Sequence, residues 1–258
     1  MIRPPAVAGT FYPGDPALLA STVDKFVAEA APPPDEPLAA AYVVPHAGYR
    51  FSGATAAHVY ARLALHADRI SRVVLVGPAH FVPLKGCAVP TAQRWSTPLG
   101  EIDVDPSAAT LGAAADDAPH APEHSLEVQI PFLQRVVPHA TVIPVAVGAT
   151  PHDDVMAVIS AALGPGTVVL CSTDLSHYLT EGEARRQDAR TAQAILGLDP
   201  AAIGVRDACG VYALRGTLAW ARHGELRAVQ LALDTSARTS GDTSRVVGYP
   251  AFQFFSDL

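Results

Sequence analysis

The chain has 258 residues, 49% hydrophobic and 17% charged, with a net charge of −7 and three cysteines. Such a composition supplies a globular core, while Lys25 and Lys85 are the only lysines and no basic cluster exists to neutralise a phosphate backbone, which argues against a nucleic-acid surface. No apolar run approaches the ~18 residues that span a bilayer, and three widely spaced cysteines make no disulfide framework.

The opening MIRPPAVAGTFYPG is broken by prolines and glycines and lacks the apolar centre of a signal peptide, so a reducing cytoplasm is the expected setting. Residues 16–30 then place Leu18, Leu19, Val23, Phe26 and Val27 on one helical face, with Asp15 as N-cap and Pro16 at the first helical position. The cluster APPPDEP, 31–37, is an exposed connection. Next come an expected strand at 40–44, an alanine-rich helix at 52–65, a strand at 73–76, a short strand at 86–90 and a hairpin within 95–103. Residues 107–115 have helical spacing, and EHSLEVQIPFLQRVV predicts an amphipathic helix despite Pro131. The remainder predicts a strand at 141–147, a helix at 153–163, a strand at 167–171, helices at 181–196 and 210–223, and strands at 229–234 and 245–255. There is no internal repeat and no composition shift to mark a boundary. Short, continuous apolar strands alternating with helices are buried on both faces. They imply one α/β domain over 1–258 with a largely parallel central sheet and helices on both faces.

In such sheets ligands bind beyond the carboxyl ends of the strands. His46, in VVPHAGY, and His80, in VLVGPAH, each follow a core strand directly, so both should project onto one rim. A third strand runs into STDLSHY and delivers Asp174 and His177. A turn of helix there would put both on one face; a capping Asp beside a solvated His is the plainer account. The loop APHAPEHSLEVQIPF adds His120, Glu123, His124 and Glu127. Glu123 and Glu127 would share a helix face. The helix dipole alone accounts for Glu123, whereas Glu127, deeper in an apolar segment, calls for a buried partner or a metal.

Cys209 precedes Gly210 and an apolar helix, a setting that lowers a thiol pKa. Cys87 and Cys171 lie in apolar runs and read as small hydrophobes. Two imidazoles and a thiolate suit zinc, copper or iron, while two imidazoles and a carboxylate form the facial triad of non-haem iron oxygenases. The sequence has no HExxH or CxxC to fix ligands locally, and no GxSxG, Walker loop or GxGxxG.

The motifs GTFYPGD, PHAGYRFSG, GPAHFVPL, WSTPLGEIDVD, EHSLEVQIPFLQ, IPVAVG, STDLSHY, ACG and SRVVGYPAF occur in that order over nearly the whole chain. In them the sequence resembles the Memo family, the B component of the AmmeMemoRadiSam system. The resemblance implies a fold like that of class III extradiol dioxygenases and a metal site on His46, His80 and Cys209. It implies a transition metal ion, iron first, with copper or zinc as substitutes. Asp174, His177 and Glu127 would be the catalytic groups; Phe11, Tyr49, Phe51, Glu123 and His124 would line the substrate pocket. A thiolate as third ligand departs from the two-histidine, one-carboxylate set of the dioxygenases. Phe11 and Phe51 also stand where animal members carry other aromatics.

Three functions follow as expectations. The first is redox or oxygenase chemistry on an unidentified small molecule or peptide, in functional association with other AmmeMemoRadiSam components. The second is an adaptor that retains the pocket to bind a peptide or protein. The third is a zinc hydrolase in which Glu127 activates metal-bound water.

Overall fold

A computed structural model describes residues 1–256. After the short strand β1 (Ile2–Arg3), Asp15 caps α1 (Pro16–Glu29) by accepting a hydrogen bond from the Leu18 N–H. There follow β2 (Ala41–Val44), α2 (Tyr49–Leu65), β3 (Arg72–Pro78), β4 (Cys87–Val89) and the hairpin of β5 (Arg94–Thr97) and β6 (Gly100–Asp103). Then come β7 (Ala114–Ala115), α3 (Ile130–Val136), β8 (Thr141–Val147), α4 (His152–Ala162) and β9 (Thr167–Ser172). The last third holds β10 (His177–Leu179), α5 (Glu181–Leu196), α6 (Val211–His223), β11 (Arg227–Thr235), α7 (Ala237–Ser240) and β12 (Val246–Phe255).

The main sheet has the order β10-β12-β2-β9-β3-β8-β4-β7, and β11 also pairs with β12. Its centre, β2-β9-β3-β8, is parallel. Around it β12 runs antiparallel to β2, β4 antiparallel to β8, and both β10 and β11 antiparallel to β12. The sheet is therefore mixed, where a largely parallel one was expected. Continuous apolar strands report burial on both faces but carry no direction. The link 236–245 between β11 and β12 is shorter than the dozen or so residues a parallel crossover needs, so this pair must be antiparallel.

Crossover handedness sets the layers. The β2-α2-β3 unit passes over β9 in one direction and β8-α4-β9 passes back over β3. Right-handed connections running opposite ways put α2 and α4 on opposite faces. On these, α1 and α3 pack against α2, and α6 packs against α4. Among the described residues, no helix is long and apolar enough to cross a membrane.

Three local expectations change. Residues 107–115 form a 3₁₀ turn (Pro106–Thr110) and the edge strand β7 instead of a helix. The predicted amphipathic helix shortens to a 3₁₀ turn (Glu127–Gln129) and α3, because Pro131 lies in the first turn of α3, where a missing N–H costs nothing. No helix starts at Asp174 either; residues 173–176 are irregular and lead into β10. The rim itself forms as the strand pattern implies. β2, β3 and β9 end at Val44, Pro78 and Ser172, and His46, His80 and Asp174 follow each end at the same short distance.

Candidate metal centre

His46 is buried, and its ring is pinned by a chain of hydroxyls. The Ser172 hydroxyl donates to the Ser125 carbonyl (2.7 Å) and accepts from the Gln129 amide (3.0 Å). With its hydrogen committed, Ser172 can only accept at its 2.9 Å contact with His46 Nδ1. The network thus places the His46 hydrogen on Nδ1 and leaves the Nε2 lone pair open. That Nε2 lies 3.1 Å from Cys209 Sγ. Burial, together with His124, His80 and His177 nearby, drives the His46 pKa well below its ordinary value, so the ring is neutral.

His80 is oriented the same way by a carboxylate. Its Nδ1 donates to Glu123 Oε1 at 2.8 Å and its backbone N–H to Oε2 at 2.5 Å, while the Ser125 N–H donates to Oε1 at 2.9 Å. Burial alone would raise Glu123, but these donors outweigh it and hold the carboxyl at about 2. An imidazole donating one nitrogen to a carboxylate presents the other to a metal, the usual arrangement behind ligating histidines. The His124 ring stacks on His80 at 4.8 Å, and burial lowers it to about 4. Its Nδ1 is 3.3 Å from Glu123 Oε1 but outside hydrogen-bonding geometry, so this buried nitrogen has no hydrogen-bond partner among the described residues.

Cys209 reaches the rim because Gly210 lets the chain pass close to β9. A Cβ on Gly210 would stand 2.9 Å from the Thr173 Cβ and 3.0 Å from the Ser172 carbonyl oxygen. The Cys209 N–H donates to the Asp174 carbonyl (3.2 Å), and the Asp174 N–H points at Cys209 Sγ (3.3 Å). The expected activated thiolate is not found. Burial and the Asp174 carboxylate push the thiol far above its ordinary pKa, overriding the helix terminus. Without a bound cation, Cys209 is a thiol.

The donor atoms of His46, His80 and Cys209 lie within 4.8 Å of one another. Metal–ligand bonds of about 2.0–2.3 Å, two end to end, span about 4.6 Å, so a slight inward movement brings all three to one ion. The donor set also suits one: two imidazoles whose Nδ1 atoms are already engaged, and a thiol that only a cation would deprotonate in this setting.

Asp174 and His177, expected to share a helix face, are not hydrogen-bonded to each other. Asp174 Oδ1 accepts the His46 N–H at 2.8 Å, tying the turn after β2 to the one after β9. Burial raises its carboxyl to about 7 against that bond. His177 instead donates from Nδ1 to the Leu175 carbonyl (2.7 Å), which leaves its Nε2 as an acceptor; burial lowers its pKa. Both residues line a 780 Å³ cavity together with His46, His80, His124 and Cys209. Phe11 lines this cavity and an adjoining one of 430 Å³, which Phe51 also borders.

Glu127, Tyr49, Glu123 and His120 lie elsewhere than expected. Glu127 faces away from the cavity; its oxygens take Arg3 Nη1 (2.7 Å), the Tyr12 hydroxyl (2.6 Å) and the N–H groups of Ala6 and Val7. With both oxygens occupied, it cannot serve as the catalytic base. The irregular 123–126 turn, in place of a helix, separates its direction from that of Glu123. Tyr49 is core, its hydroxyl donating to the Val128 carbonyl at 2.6 Å. Glu123 sits behind His80 and does not line either cavity. His120 is buried against Trp95 and the Ala88 carbonyl. Sequence reasoning missed Ser172, Gln129 and Ser125, which set the His46 tautomer. Ser172 was open to inference, since it closes an otherwise apolar strand.

The family model described as Memo-like protein matches residues 3–253. A MEMO1 family protein of Methanopyrus kandleri is 36% identical over 287 residues, covering 98% of this chain and 99% of its own length. One from Archaeoglobus fulgidus is 33% identical over 272 residues (98% and 99%), and one from Methanosarcina acetivorans 37% identical over 273 (97% and 98%).

Proposed function

This chain belongs to the Memo-like protein family, and we propose that it is a metal-dependent oxidoreductase of the oxygenase type acting on a small organic substrate. His46, His80 and Cys209 would hold one transition metal ion. Iron comes first, on the resemblance to extradiol dioxygenases, and copper or zinc accept the same donors. The observation that supports this most strongly is the convergence of two imidazoles, each with Nδ1 engaged, on the Cys209 thiol. When bound, such an ion supplies electron transfer and polarisation of a coordinated substrate.

The protein's own groups divide the remaining work. Ser172 and Glu123 fix the imidazoles. Asp174 ties together the turns that bear His46 and Cys209. His177, neutral and with Nε2 as acceptor, takes a proton from substrate in the cavity. A zinc hydrolase would need Glu127 to activate water, and Glu127 is locked to Arg3 and Tyr12. Cytoplasmic residence, and association with other AmmeMemoRadiSam components, belong to the same proposal.

The test is anaerobic purification with metal analysis, then oxygen uptake during a substrate screen with the native metal restored. Stoichiometric iron or copper and substrate-dependent oxygen uptake would support the proposal. Full metal without oxygen or redox turnover on any substrate would favour the adaptor reading.

A further inference from the structure

Beyond the ligand cluster, the cavity continues past His177 and Tyr178 into the 430 Å³ chamber, which touches none of the three proposed ligands. Tyr178 stands at the junction and lines both spaces. It has a left-handed backbone, φ 61°, that a tyrosine adopts only under constraint. The register between β10 and β12 shifts at this residue, His177 pairing with Val247 and Leu179 with Val246. Bulges of this kind re-aim a side chain, and the Tyr178 ring is 62% exposed.

Arg245 covers that ring, its guanidinium 4.4 Å from the ring centroid, and lines the second chamber. Among the described residues it has no carboxylate partner. Of the two acids that line the chamber, Asp174 accepts the His46 N–H and Asp242 spends an oxygen on the Ser244 N–H (2.8 Å) and hydroxyl (2.7 Å). Most arginines near acids in this protein are paired, as Arg62 with Glu36, Arg72 with Asp105 and Arg238 with Asp234. A guanidinium over an aromatic ring at a chamber wall can still offer N–H groups to an anion.

We infer that the substrate is an aromatic carboxylate: its ring lies between Phe11, Phe51 and Tyr178, and its carboxylate pairs with Arg245 in the second chamber. This rests on the proposed function, since it places the reacting end toward His46, His80 and Cys209. A monoanion is specified because Arg245 shares the chamber with Asp174 and Asp242, and a dianionic phosphate would exceed what one guanidinium balances. Arg206 borders only the larger cavity, beside the ligand cluster, and is not assigned this role.

The test uses benzoate, phenyl phosphate and benzamide as probes, with binding followed by ligand-observed NMR and calorimetry on the full-length, metal-loaded protein and again after metal removal. We expect benzoate to bind at least about tenfold more tightly than benzamide, as one charge-assisted pair implies, and more tightly than phenyl phosphate. Arg245→Ala should abolish that preference without changing metal content, Arg206→Ala should preserve it, and Tyr178→Gly, which relieves the left-handed strain, should weaken benzoate and benzamide alike. Equal binding of benzoate and benzamide to the wild type, no detectable benzoate binding, or a preference for phenyl phosphate would overturn the inference. So would a preference that survives Arg245→Ala but vanishes on metal removal, since the anion would then sit on the ion. A protein that binds no metal yet keeps the Arg245-dependent preference would defeat the proposed function and leave the carboxylate subsite standing.

Discussion

Cys209 Sγ lies 3.1 Å from His46 Nε2 across a sequence separation of 163 residues. Their shared pocket raises the thiol pKa and lowers the imidazole pKa, so in the absence of a cation the pair is thiol and neutral ring. A metal that binds Cys209 as thiolate must therefore expel one proton. Apparent affinity should climb by about tenfold per pH unit from pH 6 through pH 8.5, because the thiol does not titrate within that range. Competition titrations with a chelator of known pH dependence check this. A flat profile above pH 7 would mean an already ionised thiol or a site without Cys209.

Glu123 is the buried carboxylate behind His80. Glu123→Gln keeps its volume but turns the acceptor of three N–H groups into a mixed donor and acceptor. Metal affinity should fall by about 10–100-fold. The acid limb of stability should change too. The folded pKa of about 2 lies below the ordinary value of 4.5, so this group's contribution is full above 4.5 and lost as pH falls toward 2. Denaturant unfolding at pH 3 and pH 6 should show a smaller difference between the two pH values in Glu123→Gln than in the wild type.

Arg3 and Glu127 form an ion pair at 2.7 Å with side chains only 5% and 1% exposed. Removing one partner strands the other, so Arg3→Ala or Glu127→Ala should cost about 3–5 kcal/mol. Metal stoichiometry of the folded fraction should stay that of the wild type, because Glu127 faces away from the ligand cluster. Thermal unfolding beside metal analysis separates this structural role from a catalytic one.

How far the sequence alone carries can be judged from these same residues. His46, His80 and Asp174 were legible because each follows an apolar strand, and parallel strands bring their carboxyl ends to one rim. Glu127 misled because helix spacing was assumed over residues 123–137, whereas Pro131 begins α3 and leaves the preceding turn irregular. The antiparallel flanks were hidden because a strand buried on both faces looks alike in either direction. The Cys209 pKa was misjudged because the helix terminus is visible in sequence and burial beside Asp174 is not. Gln129 acts only through contacts distant along the chain, which no local pattern reports.

Asp174 titrates in the opposite sense to Glu123. Burial lifts its folded pKa to about 7 from the ordinary 3.8, so it favours the folded state below 3.8 and that advantage disappears as pH rises through 7. In metal-free protein, Asp174→Asn should therefore gain stability relative to wild type with rising pH across this window and level off above it. Parallel urea unfolding of both proteins at pH 4.5, 6 and 8 measures that difference. A difference that stays constant with pH would mean that Asp174 is ionised throughout.

Metal stoichiometry measured beside thermal unfolding, in single variants of the rim, tests the central claim most directly. His46→Ala, His80→Ala and Cys209→Ser should each lose most of the metal while remaining folded. His177→Ala should keep it and lose only turnover, since its Nδ1 is committed to Leu175 and the proposed function assigns its Nε2 to the substrate. The contrary result is Cys209→Ser with full metal while Asp174→Ala or His177→Ala is empty. The ion would then sit on His46 and His80 with Asp174 or His177 as the third ligand, and the thiol would be no ligand.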